Sequence, residues 1–403
     1  MTERSADSLA PVAAAQLAGR HGAAQLVSAG LLTAIVGFAS AFPIVLQGLA
    51  GVGAGPAQAA SGLFALCLVQ GLLGMALSLL WRQPISIAWS TPGAALLITA
   101  GVPADGFPAA VGAFIAAAAL ILVAGLWRGF ARAVAAIPAG LANAMLAGVL
   151  LELCLAPVRA VEAMPGLALP IILAWALAWR FARRYAVPIA VLVTAAIVAL
   201  ATPFPMAALA HLRPAPLPVL PQFSPATMVS IALPLFIVTM ASQNVPGLAV
   251  LTLNGYRPRV GPIFVSTGLA SFVTALLGGH VVNLAAITAA LAAGPEAHPN
   301  PARRYIAAVV AGASYVLLAL LAGFAAAFIA ASPPLLIQVV AGLALLGSLA
   351  SALAASLARE EERLPVILTF VTTASGVSFF GIGAPLWGLV AGGLLLALGR
   401  LKP

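Results

Sequence analysis

The chain has 403 residues, of which 63% are hydrophobic and only 7% are charged, with 18 Lys and Arg residues against nine Asp and Glu residues. A soluble domain carries about 25% charged and 45–50% apolar residues, so this composition excludes a soluble enzyme, a disordered protein and a coiled coil. The apolar runs are continuous, as in residues 114–127 and 186–201, whereas the strands of a β-barrel alternate apolar and polar residues. The sequence therefore predicts an all-α polytopic membrane protein.

Apolar runs long enough to cross about 30 Å of bilayer predict about fourteen transmembrane helices. If the N-terminus is cytoplasmic and the chain alternates sides, sixteen of the eighteen basic residues lie inside, and only Arg159 and Arg213 lie outside. Because Lys and Arg hold loops in the cytoplasm, this bias indicates an even number of spans with both termini cytoplasmic. An even number other than fourteen stays open if two neighbouring spans are re-entrant.

The order of the spans predicts an inverted internal repeat. Seven spans precede a long proline-rich loop and seven follow it. Because seven is odd, the two halves must insert in opposite orientations, which is common in secondary transporters. A polar residue stands three positions before a proline in span one, at Ser40, and in span eight, at Gln243.

Two spans in equivalent positions of the two halves are predicted to be interrupted. The third span, Pro84–Ala100, starts with a β-like composition and then carries Ser-Thr-Pro, which predicts a half-helix that begins at Ser90 or Thr91. The tenth span, His280–Ala293, follows two glycines, and its stretched first part leads to a half-helix that we expect Asn283 to cap. Paired broken helices are the best sequence indication of a transporter's binding site.

The residues around these breaks indicate the class of substrate. Two half-helix N-termini that face each other present unpaired N–H groups and partial positive charge, which favours a carboxylate. Neutral polar groups with aromatic neighbours suit a small aromatic acid. The candidate substrate-binding residues are Ser40, Phe42, Trp89, Ser90, Thr91, Gln243, Asn244 and Asn283. The alternative is that the polar members only cap helices and connect spans.

Three segments, residues 84–93, residues 243–258 and residues 279–298, resemble the benzoate:proton symporter family (BenE-type), and the likeness runs over nearly the whole chain. The resemblance implies proton-coupled benzoate uptake across the bacterial inner membrane. It also implies the fold of uracil permease and the nucleobase–ascorbate transporters, in which a core domain slides against a gate domain. The implied division is a cytoplasmic N-terminal tail (1–23), core (24–127), gate (128–203), an extracytoplasmic loop (204–225), core (226–331), gate (332–400) and a cytoplasmic C-terminal tail (401–403).

One departure from the uracil-type relatives concerns the proton. Those relatives carry glutamates in spans eight and ten, at positions that correspond here to about Gln243 and Val282. Glutamates there would repel a benzoate anion, so their absence fits an anionic substrate and leaves the proton carrier open.

The candidate proton-coupling residues are His280, Glu152 and Glu296. Glu152 and His280 lie within apolar spans, where an ionisable residue usually has a functional role, and histidine can change charge near neutral pH. Glu296 lies at the inner end of span ten, where an inner gate is the functional interpretation. Each has an ordinary alternative: His280 as a neutral hydrogen-bonded side chain, Glu152 as a partner of Arg159, and Glu296 as part of a solvated loop. The proton could also travel with the substrate as benzoic acid.

Other classes of function find less support. No His-Glu-x-x-His motif, Cys/His cluster or paired Asp is present, so an enzyme or a metal site is not predicted. We expect no cofactor apart from the proton as coupling ion, and no nucleic-acid partner. Transport of another organic anion or a nucleobase, and a passive channel, are the remaining alternatives. Relatives of this fold often pair through their gate domains, which suggests a homodimer.

Overall fold

The computed structural model describes residues 9–127, 129, 138–201, 215–377, 379 and 383–400, with side chains from residue 22 onward except at positions 184, 201, 287 and 331. Most of these residues are helical. The elements before residue 202 are α1 (Leu9–Gly51), α2 (Pro56–Trp81), β1 (Ile87–Trp89), α3 (Thr91–Ala100), α4 (Phe107–Leu126), α5 (Ala139–Ala163), α6 (Pro165–Phe181) and α7 (Ala186–Ala201).

The elements after residue 224 are α8 (Pro225–Leu253), α9 (Val260–Leu276), β2 (Val282–Leu284), α10 (Ile287–Ala293), α11 (Tyr305–Ala319), α12 (Ala322–Ala331), α13 (Pro334–Ser356), α14 (Arg363–Ala374) and α15 (Ala384–Arg400). Helix α8 contains two π-helical segments, Met228–Ala232 and Met240–Asn244. Single 3-10 turns occupy Arg183–Tyr185, Pro301–Arg303 and Glu360–Glu362.

Seven helices within the described ranges are long and apolar enough to cross a membrane. They lie in α1, α2, α4, α5, α8, α11 with the turn before it, and α13. Five shorter apolar helices, α3, α6, α7, α9 and α15, accompany them. The chain is therefore a multi-span membrane protein, and the predicted number of fourteen spans stays a prediction.

Two helix boundaries were not evident from the sequence. Helix α1 begins at Leu9, so it extends into the predicted cytoplasmic tail 1–23, because that segment is rich in alanine, the strongest helix former. The apolar run Tyr305–Ala330, which its length and hydropathy predict to be one span, the eleventh, is two helices that meet at a turn after Ala319. Hydropathy reports the preference for lipid and not backbone conformation, so an apolar turn leaves no trace in the pattern.

The predicted terminal segments and the predicted joining loop are described only in part. Residues 1–8, 202–214 and 401–403 lie outside the described residues. Residues 215–224 have neither helix nor strand. This stretch is nevertheless attached to two helices, because Val219 N–H donates to the Leu276 carbonyl at 2.8 Å and Gln222 N–H donates to the Pro108 carbonyl at 2.9 Å.

Two helix pairs flank the interrupted spans, with α2 along α11 on one side and α4 along α9 on the other. Helix α2 meets α11 at Gly71 and Gly312, where a Cβ on either glycine would come within 2.6 Å of the carbonyl oxygen of the other. Small residues allow such close backbone approach between membrane helices. A second group forms around α5, which packs against α13 and α14, while α14 packs against α15. This group meets the first where α5 contacts α3 and α13 contacts α1.

Candidate functional site

The two interrupted spans meet as a two-stranded antiparallel sheet, β1 with β2, in which Ala88 lies opposite Asn283. Hydrogen bonds continue past both ends of the sheet. Ser90 N–H donates to the Val281 carbonyl at 3.2 Å, and Ala285 N–H donates to the Ser86 carbonyl at 2.9 Å. Because the strands are antiparallel, α3 and α10 leave the crossing at opposite ends. The predicted interruption of both spans is confirmed.

The first break has the predicted start signal. Ser90 is the N-cap of α3, and its Oγ accepts a hydrogen bond from Gly93 N–H at 3.1 Å. Pro92 lies in the first turn, where a missing N–H costs nothing. Thr239 of α8 donates to the same Ser90 oxygen at 2.8 Å. The hydroxyl of Ser90 is therefore occupied by the protein itself, and Ser90 is fully buried.

The second break differs from the prediction. Helix α10 begins at Ile287, and its N-cap, Ala286, offers no side-chain hydrogen bond. Asn283 lies inside β2 and not at the helix start, so its predicted capping role is wrong. Its backbone is paired with β1, and its side chain is engaged there as well. With its amide oriented to satisfy both atoms, its oxygen accepts from Ser90 N–H at 2.9 Å and its nitrogen donates to the Leu284 carbonyl at 2.9 Å.

Side chains from α8 and α9 hold the second break in place. Asn244 Oδ1 accepts from Leu284 N–H at 2.9 Å, and Gln243 Oε1 accepts from Ala286 N–H at 3.3 Å. Both side chains belong to a π-helical turn of α8, a distortion that is frequent at functional sites. Ser271 of α9 accepts from Val282 N–H at 2.9 Å. Nothing in the sequence marks Ser271 as part of the site, because it lies in an apolar helix without a motif.

An aromatic cluster lies beside the end of β1. Phe38 stacks on Phe42 of the same helix at a centroid distance of 5.0 Å and lies 6.1 Å from Trp89. Tyr315 of α11 meets Trp89 edge-on at 5.9 Å. The predicted aromatic residues Phe42 and Trp89 thus belong to one cluster, which contains Tyr315 as a member that the sequence did not indicate.

Two further candidates lie at the edges of this arrangement. Ser40 is half-buried, and its hydroxyl donates to the Gly37 carbonyl of its own helix at 3.2 Å. Thr91 is half-buried at the first position of α3.

Unused hydrogen-bond donors lie in a small cavity behind β1. Gln70 of α2 is buried; its Oε1 accepts from Trp89 N–H at 2.7 Å. The Gln70 Nε2 and the Ser86 Oγ find no partner among the described residues, and both line this cavity together with Thr288 and Tyr315. The cavity measures about 10 Å³, which is room for about one water molecule.

The three candidate proton-coupling residues lie in three separate places. His280 is fully buried, with Nδ1 3.1 Å from the Val281 carbonyl and its ring edge-on to Phe114 of α4. A carbonyl only accepts, so Nδ1 donates there. His280 Nε2 has no partner in the part of the chain that the structure describes. The ordinary interpretation of a neutral, hydrogen-bonded histidine fits this geometry.

The two glutamates lie in larger cavities. Glu152 pairs with Arg159 and lines a cavity of about 270 Å³. Glu296 is exposed in the loop after α10 and lines a different cavity of about 190 Å³ with Gln25 of α1. The ordinary alternative for Glu152, a pair with Arg159, matches this geometry. No group of three or more His, Cys, Asp or Glu side chains within the described ranges is arranged to hold a metal ion.

A buried arginine fixes the far end of the second break. Arg304 donates to the carbonyls of Ala293 at 2.9 Å, His298 at 2.7 Å and Pro299 at 3.2 Å. Ala293 is the last residue of α10, where the helix dipole favours a positive charge. Nearby, Tyr256 donates to the Pro301 carbonyl at 2.9 Å. Burial raises the pKa of the Tyr256 phenol and the Arg304 charge opposes that rise.

Two solved structures share this fold. The transmembrane domain of a cyanobacterial bicarbonate transporter, BicA, matches with a TM-score of 0.58 at 16% identity, over 91% of this chain and 97% of that one. SLC26A9 matches with a TM-score of 0.58 at 13% identity, over 93% of this chain and 65% of that one. The expected fold relation to uracil permease is therefore corrected in part, since the structural likeness is to BicA and SLC26A9.

Sequence comparison gives the family. A family model described as benzoate membrane transport protein, BenE, matches residues 22–398. Inner membrane protein YdcO of Escherichia coli is 41% identical over 91% of this chain and 93% of its own length. The benzoate membrane transport protein of Acinetobacter baylyi is 32% identical over 93% of this chain and 95% of its own length. The chain belongs to the BenE family of membrane transport proteins, and its relatives indicate the bacterial inner membrane.

Proposed function

We propose that the protein takes up benzoate, or a closely related aromatic carboxylate, together with protons across the bacterial inner membrane, with both termini in the cytoplasm. The observation that carries the proposal is the crossing of β1 and β2 in a BenE family member, with a helix leaving each end of the crossing. The Acinetobacter relative, which is 32% identical, carries benzoate in its name.

The substrate site lies at this crossing. Trp89, Ser90 and Asn283 belong to the crossing itself, and Gln243 and Asn244 hold β2 against it. Because the polar atoms of these residues are engaged with the backbone, their main role is to shape the site. The ring of an aromatic acid finds its apolar wall in the cluster of Phe38, Phe42, Trp89 and Tyr315.

The movement that carries substrate is a sliding of core against gate, as in an elevator. Its support is the packing pattern: α1, α3 and the pair α2–α11 surround the crossing, whereas α5, α13, α14 and α15 pack among themselves. The crossing would move as part of the first group. The small cavity behind β1 has room for only about one water, so a substrate of benzoate size would require this region to open.

The deciding experiment is accumulation of labelled benzoate in proteoliposomes that contain the purified chain. We expect uptake against the concentration gradient when an inward proton gradient is imposed, and no accumulation after the gradient is collapsed with an ionophore. Uptake that only equilibrates would indicate a channel and contradict the proposal.

Competition assays identify the substrate class. We expect substituted benzoates to compete with labelled benzoate, and uracil and sulfate to leave uptake unchanged. Inhibition by uracil or sulfate at concentrations where substituted benzoates have no effect would contradict the aromatic carboxylate assignment and favour another member of the same architecture.

A further inference from the structure

A cluster of three arginines lies where two of the helices that can span a membrane end. Arg82 directly follows α2, and Arg257 and Arg259 lie in the loop between α8 and α9. All three are exposed, and none forms an ion pair with a carboxylate among the residues that the structure describes. This basic cluster therefore carries three positive charges that the described part of the protein does not neutralise.

Two contacts join the segments that contribute the basic cluster. Gln83 Nε2 donates a hydrogen bond to the Arg257 carbonyl at 3.3 Å. The guanidinium of Arg259 lies over the ring of Trp81, with its Cζ 5.7 Å from the ring centroid, which is a cation–π distance. Residues 81–83 and 257–259 thus form one surface. Because like charges held on one surface repel each other, an anion bound there would relieve the repulsion.

The backbone of Arg82 gives an independent indication of function. Its φ of 50° and ψ of 38° are left-handed, and it is the only non-glycine residue with a positive φ in the described ranges. Glycine is the usual residue in this conformation after a helix, since a side chain there costs free energy. Such strain points to a functional constraint, and what arginine adds over glycine on this exposed surface is a long, charged side chain.

Exposed apolar side chains lie next to the basic cluster in the chain. Leu80 in the last turn of α2 is 72% exposed, and Leu253 at the end of α8 is 86% exposed. The ends of spanning helices meet the headgroup layer of a bilayer, where tryptophans such as Trp81 are enriched. A phospholipid brings a phosphate to this depth together with acyl chains for the leucines, whereas a soluble anion brings only the charge.

We propose that the basic cluster binds the headgroup of an anionic phospholipid in the leaflet that the end of α2 faces. Charge complementarity selects this lipid. A zwitterionic headgroup carries its own cation beside the phosphate, whereas an anionic headgroup brings a negative charge that the three arginines can neutralise. Each basic residue near a membrane surface contributes about fivefold to the preference for anionic lipid. The bound headgroup would tie the loop between α8 and α9 to the end of α2.

Native mass spectrometry of the purified full-length chain tests this assignment, with phosphatidylglycerol and phosphatidylcholine of identical acyl chains as the probes. We expect the unmodified protein to bind phosphatidylglycerol about tenfold or more tightly than phosphatidylcholine. Arg259→Gln should reduce this preference about fivefold, and the triple variant with Arg82→Gln, Arg257→Gln and Arg259→Gln should abolish it. Inorganic phosphate in millimolar excess should not displace the lipid, because it makes no contact with the apolar side chains.

Arg82→Gly distinguishes lipid binding from a structural role. Glycine removes the charge and relieves the left-handed backbone. We therefore expect a melting temperature in lipid-free detergent equal to or above that of the unmodified protein, together with a preference for phosphatidylglycerol that is about fivefold weaker. Arg363→Gln is the matched control, because Arg363 is exposed but pairs with Glu360 at 3.0 Å, and it should leave the preference unchanged.

Three results would overturn the inference, and none of them depends on benzoate transport. The first is equal affinity of the unmodified protein for the two lipids. The second is an unchanged preference in the triple variant, with a melting curve to establish that the variant is folded. The third is displacement of phosphatidylglycerol by inorganic phosphate, which would assign the basic cluster to a soluble anion.

Discussion

The two interrupted spans reach the same crossing by different means. The first break has a local start signal, since Ser90 caps α3 through Gly93 N–H and α3 runs for ten residues, and contacts from Gln70 and Thr239 of other helices add to it. The second is held from outside, because Asn244 and Ser271 bond the backbone of β2 from other helices. Helix α10 has only seven residues and no side-chain cap.

The second break is the one whose geometry depends more on tertiary structure. A short helix without a cap has little stability of its own, so the geometry of the second break depends on α8, α9 and the loop after α10. The first break carries much of its own stability. We therefore expect substitutions around the second break to have larger effects than equivalent substitutions around the first.

The largest effect is expected at Arg304. The substitution Arg304→Met removes three charge-assisted hydrogen bonds to the carbonyls of Ala293, His298 and Pro299. Because Arg304 is only 6% exposed, water cannot replace all three donors. We therefore expect the free energy of unfolding to fall by about 3 kcal/mol. A thermal melt of the purified protein, followed by tryptophan fluorescence, measures the loss as a lower melting temperature.

The neighbouring residue provides the control for this substitution. Arg303 is exposed, so Arg303→Met removes the same side chain with little structural consequence. Arg304→Lys keeps the charge but cannot donate to all three carbonyls, so its melting temperature should lie between those of Arg304→Met and Arg303→Met. Equal melting temperatures for Arg304→Met and Arg303→Met would show that the loop after α10 does not depend on this side chain.

The next largest effect is expected at Asn244. Asn244→Ala leaves Leu284 N–H, a fully buried donor in β2, without its acceptor. An unsatisfied buried donor costs about 1–3 kcal/mol, and β2 would lose its attachment to α8. We expect a lower melting temperature and benzoate uptake in proteoliposomes reduced at least about tenfold, which corresponds to about 1.4 kcal/mol.

A second asparagine serves as the control. Asn143 donates to the Ala139 carbonyl of its own helix at 2.8 Å, so Asn143→Ala removes an amide that connects no two elements. The benzoate uptake and the melting temperature of Asn143→Ala should match those of the unmodified protein. If Asn244→Ala behaves like Asn143→Ala, then the amide of Asn244 does not hold the second break.

This asymmetry also explains how much of the site the sequence predicts. The start of α3 at Ser90 was predictable because the Ser-Thr-Pro signal lies within the helix that it starts. The start of α10 was not, because its determinants lie about 40 residues earlier, at Gln243 and Asn244, and in α9. Asn283 looked like a cap because asparagine is common at helix N-caps, but its side chain bonds Ser90 N–H and the Leu284 carbonyl instead.

The membrane character of the chain was predictable from composition, since hydropathy is summed over many residues and tolerates local error. Side-chain contacts between distant spans were not. Tyr315 and Gln70 lie in apolar helices with no motif around them, yet both contact Trp89. Such contacts follow from how α2 and α11 pack against the crossing, and a single sequence carries no signal for that packing.

The smallest effect is expected at Ser90, and it tests the comparison most directly. Ser90→Ala removes the cap of α3, which is worth about 1 kcal/mol. It also removes the acceptor of the Thr239 hydroxyl, which can rotate to donate to a carbonyl of its own helix. Ser90 N–H keeps its bond to the Val281 carbonyl, and Pro92 still favours a helix start. The control is Ser224→Ala, because Ser224 is an N-cap whose side chain makes no capping bond. We expect the melting temperature of Ser90→Ala to be lower than that of Ser224→Ala and higher than that of Asn244→Ala. A larger decrease in melting temperature for Ser90→Ala than for Asn244→Ala would mean that the first break depends more on tertiary contacts than the second. The contact between Thr239 and Ser90 would then be the next to test.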